Sequence, residues 1–263
     1  MRPSTPGLPL AHAVALGALH GPAELVPVSS SAHVALIPQL LGWPSAGLPA
    51  DVRKAFEVAL HTGTLAGLLV LVPWPSLPWA VVATAPAAVV GFTLEKPIER
   101  HLGGVRATAA GLVVGSIVLV VADAQAAART GGRGGRRADD ATLGDAAVLG
   151  LAQACALWPG ISRLGLTVAA ARLRGFDREG AFDLGRRAGL PVIAGATGLK
   201  AWRLARNPPA PEVRAAFAAG MVAALGATLA AAPLRGVTSV AAPAAERVAL
   251  AAAALRHLRR SSA

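Results

Sequence analysis

Apolar residues fill this chain in long blocks separated by short polar clusters, and the blocks set the expected elements. Eight segments, 8–23, 55–73, 77–94, 105–123, 142–158, 181–202, 212–233 and 237–256, read as membrane-embedded helices, since a span needs about 20 mostly apolar residues. The runs 65–94 and 107–121 carry no charge at all. Two shorter apolar stretches, 27–42 and 159–175, each begin at a proline and carry a polar island. They are too short and broken for simple spans. Re-entrant or interrupted helices fit them, because irregular backbone at membrane depth is tolerated only where protein or a water-filled cavity covers it. The pattern predicts an all-α, polytopic helical bundle in a membrane.

Glycine and arginine crowd the stretch 124–141, which reads as a flexible, solvated linker. It divides a single membrane domain, 1–263, into a first repeat at 1–123 and a second at 142–263. The halves resemble each other. Asp51, Ala55, Phe56 and Gly63 recur as Asp177, Ala181, Phe182 and Gly189 at a constant spacing of 126 residues, and Pro27 and Ser30 recur as Pro159 and Ser162 at 132. Paired, interrupted segments in two halves place a site at the repeat interface, near the membrane midplane.

Composition supports a membrane setting. The chain is 54% hydrophobic and only 15% charged, with mean hydropathy +0.54, whereas soluble domains carry about 25% charged residues. The net charge of +11 does not point to nucleic acid. The cations sit in short clusters between apolar segments, as in loops flanking membrane helices, and no nucleic-acid motif is present. The N-terminus reads as a retained first helix rather than a signal peptide. The lone Cys155 excludes an intramolecular disulfide and reads as a small buried hydrophobe.

Chemistry concentrates in two islands. His20 and Glu24, four apart, share a helix face, as do Ser30 and His33, three apart. Together they offer a carboxylate, imidazoles and hydroxyls for a nucleophile, a general base and a metal ligand. Ser29 to Ser31 have an alternative use as helix caps. In the second island Arg163 follows Gly160 and Ser162 and precedes Thr167. A glycine allows close backbone approach, arginine suits phosphate oxygens, and a helix N-terminus attracts anions. Arg172 and Arg174 read as cations that snorkel to the interface. Glu57, with His61 a turn later, could line the cavity and mirrors Asp183. Arg186 and Arg187 either pair with Asp183 or lie at the interface. His12, His101 and His257 look incidental. No zinc pattern, Walker loop, GxSxG elbow or GxGxxG fingerprint occurs.

The segment from His20 to His33, HGPAELVPVSSSAH, resembles the first signature of bacterial undecaprenyl-diphosphate phosphatases of the bacitracin-resistance type. The segment from Leu157 to Thr167, LWPGISRLGLT, resembles their second. Phe56-Glu57-Val58 also looks like a family segment, and the likeness covers nearly the whole chain in order. It implies an integral membrane enzyme with inverted-topology repeats and re-entrant helices, multi-pass in the bacterial cell membrane. The implied reaction is hydrolysis of a C55 polyprenyl diphosphate to the monophosphate, which recycles the lipid carrier of cell-wall synthesis.

Carried over by motif, Glu24, Ser30, His33 and Arg163 are the catalytic candidates. Ser29, Ser31, Gly160, Ser162 and Thr167 are substrate-binding candidates, with His20 and Glu57 as further ones. The resemblance implies a divalent cation, Mg²⁺ or Ca²⁺, with Glu24 and His20 as candidate ligands. The expected partners are the lipid diphosphate and the membrane, with no nucleic acid and a homodimer left open. Three positions depart from the signatures. His20 stands where the family has Glu or Gln, Ala32 replaces a glycine, and Leu164 replaces a serine. His20 shifts the ligand set from oxygen toward nitrogen, which suits Mg²⁺ and Ca²⁺ less well. The alternatives are a lipid transporter or flippase of the same architecture, a paralogue acting on another lipid phosphate, and an inactive homologue.

Overall fold

The computed structural model describes residues 7–131, 134–206 and 208–261. Among them there are ten α-helices and no strand. The first half holds α1 (Leu10–Leu25), α2 (Ser30–Leu40), α3 (Ala50–Leu71), α4 (Leu77–Leu102) and α5 (Val105–Thr130). The second holds α6 (Leu143–Cys155), α7 (Arg163–Leu173), α8 (Arg178–Arg206), α9 (Pro211–Ala230) and α10 (Ala241–Ser261). Each expected segment is a helix, and the two island-bearing stretches are the 11-residue helices α2 and α7.

Among the described residues, four helical segments are long and apolar enough to cross a membrane: Ala50–Leu71, Leu77–Leu94, Val105–Arg129 and Pro211–Ala230. The protein is therefore a polytopic, all-helical membrane protein. Large apolar side chains on these helices point outward, among them Val70, Leu77, Val89, Phe92 and Val222. In water they would form a costly exposed apolar surface; in lipid they are solvated. The other four expected spans differ. At 16 and 13 residues, α1 and α6 fall short of the usual span. α8 and α10 interrupt their apolar runs with Arg186, Arg187 and Arg247.

Two glycine pairs set the packing around α9. Gly17 and Gly21 of α1 lie against Gly220, Ala224 and Thr228, and Gly63 and Gly67 of α3 lie against Met221, Leu225 and Thr228. Lipid tails are as apolar as leucine, so membrane helices associate through close backbone approach at small residues. This packing brings α1 and α3 together on α9, where Gly21 and Gly67 both meet Thr228. Gly63→Ala should test it, because the added Cβ would fall on the Met221 carbonyl. We expect a loss of about 1–3 kcal/mol from overpacking, read as a lower thermal unfolding midpoint in detergent.

Local capping explains where the second-half helices begin. Thr142 accepts a hydrogen bond from Asp145 N–H and donates its own N–H to the Asp145 carboxylate, a reciprocal pair that satisfies two orphan donors. Ser162 caps α7 by accepting from Gly165 N–H at 3.1 Å.

Three expectations are corrected here. The stretch 124–141 is not simply a solvated linker. α5 continues through Thr130, and Arg136 bridges to Phe176 and binds Asp145 at 2.7 Å. Arg172 and Arg174 do not snorkel. They pair with Asp123 and Asp145 at 2.8 and 2.7 Å, and a buried carboxylate of this kind needs such partners. Cys155 is exposed at the end of α6 rather than buried.

Candidate active site

Glu24 is the hub of the site. It sits one residue before the end of α1, and its side chain is only 8% exposed. Oε1 accepts a hydrogen bond from Ser30 Oγ at 2.5 Å. Oε2 accepts one from Arg163 Nη2, also at 2.5 Å. One carboxylate thus ties the first residue of α2 to the first residue of α7, 139 positions apart from Glu24 in the chain. Charge-assisted contacts of this length are the strong kind.

The turn that delivers Ser30 is unusual. Ser29 has φ of 71° and is the one non-glycine residue with positive φ among those described. Such backbone costs of order 1–3 kcal/mol and concentrates at functional sites. Ser29 caps α2 by position yet makes no side-chain cap, and its hydroxyl is buried without a hydrogen-bond partner among the described residues. The capping explanation therefore fails for Ser29 and Ser30; the serine that does cap a helix is Ser162.

Other predicted residues are distributed unevenly. Gly160 has φ of 91° and packs against the Thr108 carbonyl, so it serves the turn before α7. The Thr167 hydroxyl turns back to the carbonyls of Arg163 and Leu164, and Ser31 faces outward; neither meets the hub. His33 also faces away from it. Its Nδ1 bonds the Ser29 carbonyl at 2.9 Å and its Nε2 bonds Glu246 at 2.8 Å. That geometry holds the imidazole between α2 and α10 rather than against Ser30.

Histidine surrounds the other side of Glu24. His61 Nε2 lies 3.7 Å from Glu24 Oε1, and the His20 and His61 rings meet edge-on at 4.4 Å. Glu57 enters through its backbone, because its carbonyl bonds His61 Nδ1 at 2.8 Å. One nitrogen of each imidazole and one oxygen of Glu24 lie within 4.8 Å of one another, so these three could share a metal ion. Mg²⁺ and Ca²⁺ take oxygen ligands, whereas two of the three donors are imidazole nitrogens. The set does not fit those ions.

Sequence reasoning missed three site residues. Arg186 reaches the Leu25 carbonyl, while its neighbour Arg187 pairs with Asp183 at 2.6 Å. Glu246 supplies the carboxylate for His33. Arg247 is fully buried, and none of its three guanidinium nitrogens has a hydrogen-bond partner among the described residues. It lies against Gly115 of α5 and Gly165 of α7. The signal for Arg247 was present, since an ionisable residue inside an apolar run marks function by default. A small cleft opens beside the hub, lined by the polar or charged Glu24, Arg163 and Arg186, the glycines Gly185 and Gly189, and the apolar Leu68, Leu164 and Ile193.

Two cations, Arg163 and Arg186, a buried carboxylate and apolar side chains thus meet at one cleft of a polytopic membrane protein. Comparison with known proteins narrows this class. Residues 13–239 match the model of the bacitracin resistance protein BacA family, and the chain belongs to that family. It is 39% identical over 234 residues to the undecaprenyl-diphosphatase of Geobacter sulfurreducens, covering 80% of this chain and 82% of that protein. It is 38% identical over 219 residues to the one of Geobacter metallireducens, covering 74% and 77%. The corresponding protein of Thermomicrobium roseum is 37% identical over 240 residues, covering 81% and 83%.

Proposed function

We propose that this protein hydrolyses undecaprenyl diphosphate to the monophosphate and inorganic phosphate in the bacterial cell membrane. That reaction regenerates the lipid carrier for cell-wall synthesis and confers bacitracin resistance. Family membership and the name shared by its relatives support the reading. The observation that carries it is the Ser30–Glu24–Arg163 arrangement, which puts a hydroxyl and a cation suited to phosphate on one carboxylate that can serve as the base.

The mechanism follows from that arrangement. The diphosphate enters the cleft with its prenyl chain along Leu68, Leu164 and Ile193. Arg163 transfers its fork from Glu24 to phosphoryl oxygens and stabilises the charge that spreads over them in the transition state. Ser30 Oγ attacks the terminal phosphorus and gives its proton to Glu24. The bond from that phosphorus to the bridging oxygen breaks, and Glu24 passes the proton it took from Ser30 to the departing prenyl monophosphate, which leaves Glu24 ionised again. Water then cleaves the phosphoserine with Glu24 as base, restoring Ser30 and releasing inorganic phosphate. Ser162 and the α7 N-terminus support the anion through backbone N–H groups and the helix dipole. His33, held by Glu246, braces the turn that carries Ser30.

Purified protein supplied with undecaprenyl diphosphate in detergent should release phosphate. Ser30→Ala should lower the rate by roughly 10³-fold or more, as loss of a nucleophile does elsewhere. Rapid acid quench of native protein with terminally labelled substrate should trap label on Ser30. A native protein that moves the lipid but releases no phosphate would be a flippase, and the reading would fall.

A further inference from the structure

His20, Glu24 and His61 form a constellation that the hydrolytic steps above do not use in full. His20 is 1% exposed. Its Nδ1 lies in hydrogen-bond contact with the Thr64 hydroxyl at 2.8 Å, and its Nε2 is buried with no hydrogen-bond partner among the described residues. His61 repeats the pattern: Nδ1 is anchored on the Glu57 carbonyl at 2.8 Å, while Nε2 faces Glu24. An imidazole anchored through one nitrogen presents the other as a lone pair of fixed direction, which is how proteins orient metal-binding histidines. Burying an imidazole nitrogen without a partner is costly, and a cation at this point removes the cost.

We propose that His20, Glu24 and His61 bind a borderline transition-metal dication, of which Zn²⁺ is the type, in preference to Mg²⁺ or Ca²⁺. Two nitrogens and one carboxylate oxygen suit Zn²⁺ and its first-row neighbours. Three protein donors also leave a position open for a water or phosphoryl oxygen, as catalytic rather than structural zinc sites do. The three donors come from α1 and α3, the two helices that the glycine pairs hold against α9. The inference concerns metal binding and does not depend on the phosphatase reading.

Metal alone is the probe. Native protein in detergent, stripped with chelator, is titrated with Co²⁺ and Zn²⁺ and separately with Mg²⁺ and Ca²⁺. Binding is read by the visible absorption of Co²⁺, by elemental analysis after desalting, and by the shift in thermal unfolding midpoint. We expect one Co²⁺ or Zn²⁺ per chain, a low-coordinate Co²⁺ spectrum, and no comparable shift with Mg²⁺ or Ca²⁺. His20→Gln and His61→Gln should lose the spectrum. Thr64→Val keeps every ligand and the packing volume, and should weaken binding by roughly 10–100-fold through loss of the anchoring contact; it also covers the case in which His20→Gln does not fold. His20→Glu should move the preference toward Mg²⁺ and Ca²⁺. Native protein that holds no Co²⁺ or Zn²⁺, or a His20→Gln protein that binds them as tightly as native, would overturn the proposal. Metal binding without phosphate release would leave it standing and sink the phosphatase reading instead.

Discussion

Arg163→Ala is expected to lower phosphate release from undecaprenyl diphosphate by roughly 10³-fold or more, the range seen when a cation or donor aimed at transition-state charge is removed. The loss has two sources. The phosphoryl oxygens lose their fork, and Glu24, buried at 8% exposure, loses its counter-charge. Arg163→Lys separates them. A lysine restores the charge beside Glu24 but not the planar fork, so it should recover folding stability and only a small part of the rate. Phosphate release, with thermal unfolding measured in parallel, checks both. Near-native release by Arg163→Ala would show that the phosphate binds elsewhere and would remove the Glu24–Arg163 pair from the mechanism.

The two polar islands were legible in the sequence because they stand out against an apolar background. The structure joins them through Glu24, a residue the sequence singled out. Helix positions were legible for the same reason, since long apolar blocks leave few other structures open. What the sequence obscured was the meeting of isolated residues from distant helices. His61 could be noticed only as a neighbour of Glu57; that it turns toward Glu24 and His20 depends on how α3 packs on α9. The glycine pairs Gly17–Gly21 and Gly63–Gly67 are the readable trace of that packing, as small residues four apart in apolar helices. His33 shows the opposite failure. Spacing put it on the Ser30 face, but Glu246, 213 residues away, draws the ring toward α10. The stretch 124–141 misled through composition: its glycines and arginines read as solvated, yet Arg136 is fixed by Asp145, a carboxylate that the composition could not assign to it.

Arg247→Met separates stability from function. The Arg247 guanidinium is fully buried and has no hydrogen-bond partner among the described residues, an arrangement that costs several kcal/mol. Methionine fills similar volume without the charge, so the variant should be as stable as native or more stable by about 1–4 kcal/mol, as buried ions replaced by apolar residues often are. Its function should move the other way. Arg247 lies beside Gly165 at the start of α7; Ser162 takes the Gly165 N–H, and the N–H groups of Arg163 and Leu164 before it have no intrahelical acceptor. Those groups and the guanidinium together would hold one phosphate of the diphosphate while Arg163 holds the other. Loss of hydrogen bonds to a charged group of about 1.5–3 kcal/mol should then raise the KM for undecaprenyl diphosphate by roughly 10–100-fold. A more stable protein that binds substrate less well is the signature of a residue kept for its ligand. A less stable protein with unchanged KM would mean instead that Arg247 serves packing between α5, α7 and α10, and that Arg163 carries the diphosphate without it.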